Sequence, residues 1–487
     1  GLLFNNMHTT ALCSPTRSCI MTGRNHHSNA MSCITEGSTG YPGGNGNIPF
    51  ENGMLSEMLL QQGYNTYAIG KWHLTPADQI SAAGPYDRWP LGRGFERYYG
   101  FLGGDTHQYY PELVYDNHSV EPEKTPEEGY HLTEDLVDKA ISFIADAKQV
   151  APNKPFFMYF CPGAGHAPHH VPKEWADKYK GKFDQGWDKL REEILERQKR
   201  LGIVPPDTEL TKRPDLFPAW DSLTDAQKKL YVRQMEVFAG YSENADWNVG
   251  RLLDSIEALG DLDNTLIIYI WGDNGASMEG TTTGSFNETT FLNGIVLDAD
   301  QQLALIEQYG GIDALGSEHT APHFAAAWAH AMNTPFQWGK QTASHLGGTR
   351  DPMVVAWPSR IKADKTMRSQ FTHVIDVGPT ILEAVGIPEP KVVDGIGQEP
   401  MDGTSFLFSF DDAKAPERHT VQYFEMFGGR GMYKDGWWAA SRPDRIPWDF
   451  SPETIRKFGP EADWDPDRDV GWELYDLSND FSQAHNL

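Results

Sequence analysis

A chain of 487 residues with 41 Lys+Arg against 68 Asp+Glu, a formal net charge of −27, is long enough to bury a sizeable core. It is too acidic to favour nucleic acid or an anionic membrane surface as its partner, so an anionic substrate must be attracted by local cations. Four cysteines make no disulfide framework and fit no zinc spacing, 32 prolines and 47 glycines suggest long structured loops over a regular scaffold, and no apolar run reaches the ~18 residues of a membrane span.

The first expected element is a turn running into a helix at Leu12-Cys13-Ser14-Pro15-Thr16-Arg17-Ser18. Pro15 suits a first helical turn, where its missing N–H costs nothing, and Gly23 suits the end of that helix about two turns later. A helix N-terminus favours an anion, and residues four apart share a helical face. Cys13 and Arg17 would then aim a sulfur and a guanidinium fork at one place. The alternative for Cys13 is a small buried cysteine at a turn.

Further on, Asn52 to Gly63 has helical spacing, and Thr66 to Gly70 reads as a short buried strand ending in Gly70-Lys71-Trp72-His73. Polar residues just past a parallel strand lie where open α/β sheets place their ligands. Leu132 to Ala147 is an amphipathic helix. It is followed by the strand Pro155 to Cys161 and the polar loop Gly163 to His170, which contains His166-Ala167-Pro168. Trp175 to Lys228 is charged and poorly periodic and is taken as a surface insertion, before a long helical pattern over Lys229 to Leu259.

Thr265 to Trp271 is the most strand-like run and is expected at the centre of a parallel sheet, buried on both faces. It ends in Gly272-Asp273-Asn274-Gly275, whose oxygen donors suit calcium or magnesium, although Asp-Asn-Gly is also an ordinary turn. Ala276 to Pro335 reads as a second insertion, and its His319, His323 and His330 are assigned no role. Lys340 and Gly347-Gly348-Thr349-Arg350 precede a strand at Pro352 to Trp357, and Asp376 to Val385 is a helix ended by Gly386 and stopped by Pro388. From about Arg418, short aromatic runs (Val421 to Glu425, Gly431 to Lys434, Trp437 to Ala440, Trp472 to Asp476) suggest a small antiparallel sheet with one packed helix.

Taken in order, Cys13-Ser14-Pro15-Thr16-Arg17 with Thr22-Gly23-Arg24, Gly70-Lys71-Trp72-His73, His166-Ala167-Pro168, Gly272-Asp273-Asn274-Gly275, Lys340 with Gly347 to Arg350, and Glu473 to Leu477 resemble the motif set of the type I, formylglycine-dependent sulfatases. The strings HTTALCSPTRS, TGRNHHSNAMSCITE and TPFQWGKQTASHLGGTR are most similar to the bacterial arylsulfatase branch. The resemblance implies an alkaline-phosphatase-like α/β fold, with a large mixed, mostly parallel sheet between helices. The catalytic domain would span 1–417, with insertions about 174–228 and 276–335, and a small antiparallel subdomain would span 418–487.

The resemblance also implies roles. Cys13 would be oxidised by a formylglycine-generating maturation enzyme to Cα-formylglycine, whose hydrate is the nucleophile on a small-molecule sulfate ester. Arg17 and Lys71 would hold the sulfate oxygens, His166 and Lys340 would bind substrate and protonate the leaving oxygen, and His73 would handle the hydrate's second hydroxyl. Asp273, Asn274 and Cys13 would contact a divalent metal, Ca2+ or alternatively Mg2+. The family's Asp-Asp ligand pair lies on a strand upstream of the cysteine motif, and none of the twelve residues before Cys13 is acidic. This, with a start at Gly1, is read as a gene truncated at its N-terminus and leaves the compartment open between bacterial cytoplasm and periplasm. Two other functions stay open: a phosphonate monoester or phosphodiester hydrolase of the same superfamily, and an inactive anion-binding fragment.

Overall fold

The computed structural model describes residues 1–449, 451–458, 465, 468 and 470–487. Two compact units emerge, each assembled from three separate stretches of chain. The first comprises Gly1–Ala164, Glu243–Asp273 and Pro352–His419, and the second Gly165–Ser242, Asn274–Asp351 and Thr420–Leu487.

In the first unit, β1 (Leu2–His8) runs into α1 (Cys13–Thr22), followed by α2 (Leu55–Gln61) and β2 (Asn65–Lys71). Next come β3 (Arg97–Phe101), β4 (Leu113–Tyr115), β5 (His118–Val120), α3 (Leu132–Val150) and β6 (Phe156–Cys161). One sheet has the order β5-β4-β3-β2-β6, parallel where β2 meets β3 and β6, and antiparallel from β3 through β5. A second sheet joins β7 (Ile267–Ile270), β8 (Arg350–Ala356), β1 and β9 (Thr372–His373) in the order β7-β8-β1-β9.

The expected helices form for the expected reasons. On α3 the residues Leu136, Val137, Ala140, Phe143 and Ile144 fall on one face and are buried against Tyr67, Ile69, Tyr99 and Phe101 of the first sheet. Burying each large aliphatic or aromatic side chain contributes about 1.5–3 kcal/mol. Helix α1 ends where Gly23 adopts a left-handed backbone, φ 67°, and its N–H donates to Cys19 O.

Two expectations change. Ile267–Ile270 pairs antiparallel with β8, ends its sheet's order and has half-buried side chains, so it is not the buried parallel centre of a sheet. An apolar β-branched run fits an edge as well as a centre, because periodicity reports burial and not partners. The charged stretch Trp175 to Lys228 contains a buried aromatic cluster: Trp187, 1 % exposed, packs against Trp220, Tyr231 and Trp328 of the same unit. Its charges come from the outer face of the helix Gly186–Leu201.

In the second unit β12, numbered after the short pair β10 (Val392–Val393) and β11 (Ile396–Gly397) of the first, is Val421–Met426. It starts an antiparallel meander with β13 (Gly429–Lys434), β14 (Trp437–Ser441) and β15 (Trp472–Asp476). Trp438 is buried at its centre, and its indole N–H donates to Ser344 O at 2.8 Å. Among the described residues no cysteine pairs with another in a disulfide, and no helix is long and apolar enough to cross a membrane.

The end of β2 is set by close backbone approach. Gly70, φ 92°, lies opposite Gly100 and Cys161, and a Cβ there would sit 2.0 Å from the Cys161 carbonyl oxygen. Gly70→Ala is therefore expected to lower stability by about 2–4 kcal/mol, since overpacking adds to a positive φ that L residues resist. Urea unfolding should show a lower midpoint at an unchanged slope.

Candidate active site

Cys13 opens α1 and is 2 % exposed. The entry is fixed by two threonines: Thr10 N–H donates to Thr16 Oγ1 at 2.9 Å, and Thr10 Oγ1 donates to Leu12 O at 2.9 Å. Behind the helix, Asn29 Nδ2 donates to Ser18 Oγ, Thr22 Oγ1 and Arg24 O. These bonds tie the stretch after Gly23 back onto the motif.

One turn after Cys13, Arg17 is locked on two sides. Its Nε and Nη2 reach Asp273 Oδ2 at 2.9 and 2.8 Å, and Nη1 donates to Lys71 O at 2.8 Å. Burial acts to lower its proton affinity, but Tyr159, Asp273, Cys161 and Cys13 outweigh burial and hold it raised. Arg17 is therefore a permanent cation. Lys71 is buried at the end of β2. His73 follows in a left-handed backbone, φ 57°, with N–H donating to Leu102 O. A Cβ on Gly104 would lie 2.9 Å from the ring of His73, so the glycine leaves the imidazole its room.

The His73 ring pairs with Glu36, which no sequence motif marks: Nε2 lies 2.8 Å from Glu36 Oε2. A carboxylate accepts, so Nε2 carries a hydrogen. His73 Nδ1 is buried and makes no hydrogen bond among the described residues. Burial pushes the Glu36 carboxyl up, but the bond to and charge of His73 win and bring it down to about 2.

In the second unit His166 and Lys340 come together, Nε2 to Nζ 3.3 Å, and Lys340 Nζ also donates to Glu279 Oε2 at 2.6 Å. Glu279 lies in the stretch read as an insertion and, like Glu36, carries no motif that marks it. Of the unassigned histidines, His323 Nε2 lies 3.0 Å from Ser277 Oγ and burial lowers its pKa to about 4, while His330 is fully buried.

The expected metal donors Asp273 and Asn274 already make other contacts. Asp273 Oδ2 is taken by Arg17, and Asn274 Nδ2 donates to Gly275 O at 2.9 Å. Among the described residues no group of three or more His, Cys, Asp or Glu is arranged to hold a metal ion. Calcium takes about six to eight oxygen ligands. One carboxylate shared with a guanidinium, an amide and a sulfur do not fit it. Calorimetry on this chain should therefore show no micromolar calcium binding; a micromolar isotherm would contradict this donor count.

A second expectation concerns acid. Because the Glu36 carboxyl is lower in the folded protein than its ordinary 4.5, its contribution to stability is complete above about pH 4.5 and is lost as pH falls toward about 2. Glu36→Gln should flatten that part of the acid limb by lowering the neutral urea midpoint toward its acid value, a modest change because the side chain is 46 % exposed.

Comparison with known proteins gives the geometry its context. A family model described as Sulfatase matches residues 1–387. An uncharacterised sulfatase of Schizosaccharomyces pombe is 30 % identical over 519 residues, covering 100 % of this chain and 84 % of its own. An arylsulfatase of Klebsiella aerogenes is 26 % identical over 430 residues, covering 86 % of each. Among solved structures, a Bacteroides fragilis protein described as a sulfatase superposes with TM-score 0.60 at 17 % identity, covering 100 % of this chain and 83 % of that one. The shared fold is the alkaline-phosphatase-like α/β fold of mixed sheets and helices with a small C-terminal antiparallel sheet. With its fold, its motifs and a family match over most of its length in agreement, the chain belongs to the sulfatase family.

Proposed function

We propose that this sulfatase hydrolyses small-molecule sulfate monoesters in the arylsulfatase manner, with Cys13 as the residue a maturation enzyme converts to Cα-formylglycine. The observation that carries the reading is Cys13 at the start of α1 with Arg17 one turn on, its guanidinium oriented by Asp273 and the Lys71 carbonyl. Similarity to an arylsulfatase supports the same substrate class. As its hydrate, the modified residue supplies the hydroxyl that attacks sulfur and a second hydroxyl whose deprotonation frees the sulfate.

The chain's own side chains cover the remaining needs. Charge builds on the sulfuryl oxygens and on the departing alcohol, so fixed cations and a proton donor are required. Arg17, charged at every working pH, and the Lys71 ammonium hold the sulfuryl oxygens. His73 presents Nδ1 as the base for the second hydroxyl, with Glu36 holding the opposite ring nitrogen. His166 and Lys340 serve the leaving oxygen. The donors on Asp273 and Asn274 do not fit calcium, so no step is assigned to a metal.

The test combines mass and rate. A peptide spanning Cys13 from the matured protein should carry an aldehyde in place of the thiol, and Cys13→Ala should lose sulfate release while keeping the fold. Activity retained within about tenfold, a loss of only about 1.4 kcal/mol in barrier, would remove the nucleophile assignment. Arg17→Ala should slow alkyl and nitrophenyl sulfates alike. Lys340→Ala and His166→Ala should slow the alkyl ester by about 10²–10⁴-fold and the nitrophenyl ester far less. The measurement is the slope of log(kcat/KM) against leaving-group pKa.

A further inference from the structure

The pair assigned to the leaving oxygen has a definite proton inventory. His166 Nδ1 lies 2.6 Å from Ala167 O. A carbonyl only accepts, so Nδ1 carries the imidazole hydrogen. Nε2 then presents its lone pair to Lys340 Nζ at 3.3 Å, and an ammonium only donates. With Lys340 held as an ammonium by Glu279, His166 is the neutral partner of the pair.

The ammonium is anchored by Glu279, whose own two oxygens are both engaged. Oε2 accepts from Lys340 Nζ at 2.6 Å and from Ser277 Oγ at 3.2 Å, and Oε1 accepts from Gln341 Nε2 at 2.7 Å. Gln341 Oε1 accepts in turn from Arg445 Nη2 at 2.8 Å, and Ser277 meets His323. The Glu279 side chain is 22 % exposed and that of Lys340 5 %, so their attraction is weakly screened. Burial pushes the Glu279 carboxyl up, but the charge of Lys340 leads the effects that outweigh it and hold the carboxyl at about 2.

Resting on the sulfate-ester reading above, we propose that Glu279 is a positioning residue that keeps the mobile proton on Lys340, so that Lys340 rather than His166 protonates the departing alcohol. As the S–O bond to the alcohol breaks, its electron pair stays on oxygen. An Nζ–H proton then bonds to that oxygen, leaving a neutral Lys340 amine that solvent reprotonates. His166 stays neutral and holds Nζ in place through Nε2. Among the described residues, the charged or titratable groups facing this pair include Glu279 directly, His323 through Ser277, Arg445 through Gln341, and His169 on the His166 side.

The experiment follows Lys340 itself, on the full chain. Acetylation by acetic anhydride, read at Lys340 by mass spectrometry across pH, reports the free-amine fraction and needs no turnover. A nearby opposite charge shifts a pKa by about 1–3 units. In Glu279→Gln the pH midpoint of Lys340 acetylation should therefore fall by about one unit or more, with roughly tenfold faster reaction below the midpoint. Mere opening of the structure would speed acetylation at every pH without moving the midpoint. An unmoved midpoint overturns the proposal.

In turnover, Glu279→Gln should steepen the leaving-group slope as Lys340→Ala does, with His166→Ala steepening it less. Equal slowing of alkyl and nitrophenyl sulfates in Glu279→Gln would assign Glu279 a structural role only and also overturn the proposal. A shifted midpoint with an unchanged slope in Lys340→Ala would instead overturn the acid role from which the proposal starts. If Glu279→Gln does not fold, Glu279→Asp, which keeps the charge and shortens the reach, should move the midpoint in the same direction by less, and no movement overturns the proposal.

Discussion

The partly buried contact between Arg17 and Asp273 is what the candidate site residues of the first unit depend on. It joins the helix that starts at Cys13 to the residue just past β7, and the third guanidinium contact, to the Lys71 carbonyl, adds the end of β2. Three elements far apart in sequence are thereby set to one geometry by a single side chain. A buried ion pair adds little net stability, but removing one partner strands a charge and typically costs about 3–5 kcal/mol. Its value here is orientation: the planar fork of Arg17 is fixed from two sides by Asp273 and the Lys71 carbonyl.

The two carboxylates without motifs do related work. Glu36 holds one ring nitrogen of His73, and Glu279 holds the Lys340 side chain. In each case a carboxylate with a lowered proton affinity settles which partner atom carries hydrogen.

Much of this was legible in the sequence because it is local. The helix after Cys13, its end at Gly23 and the apolar face of Leu132 to Ala147 follow from spacing and backbone preference, and the C-terminal meander follows from alternation and tight turns. What could not be read is long-range. Glu36 meets His73 across 37 positions and Glu279 meets Lys340 across 61, and nothing in either neighbourhood marks the partner. Pairing of Ile267–Ile270 was hidden for the same reason: an apolar run says that a strand is covered, not by which strand or in which direction. The aromatic cluster around Trp187 was masked by charges on the opposite face of its own helix.

The parallel pairing of β1 with β9 bears on the order of events during synthesis. Asn6 and Thr372 meet across 366 positions of chain. At ~5–20 residues per second, β1 therefore waits roughly 20–70 s for its partner to leave the ribosome. Throughout that interval the segment just after β1, with Cys13 in it, has no completed sheet to dock on. In the finished fold the same residue is 2 % exposed. Any enzyme that alters Cys13 thus has a time window set by topology, which opens when the segment emerges and closes when β9 arrives.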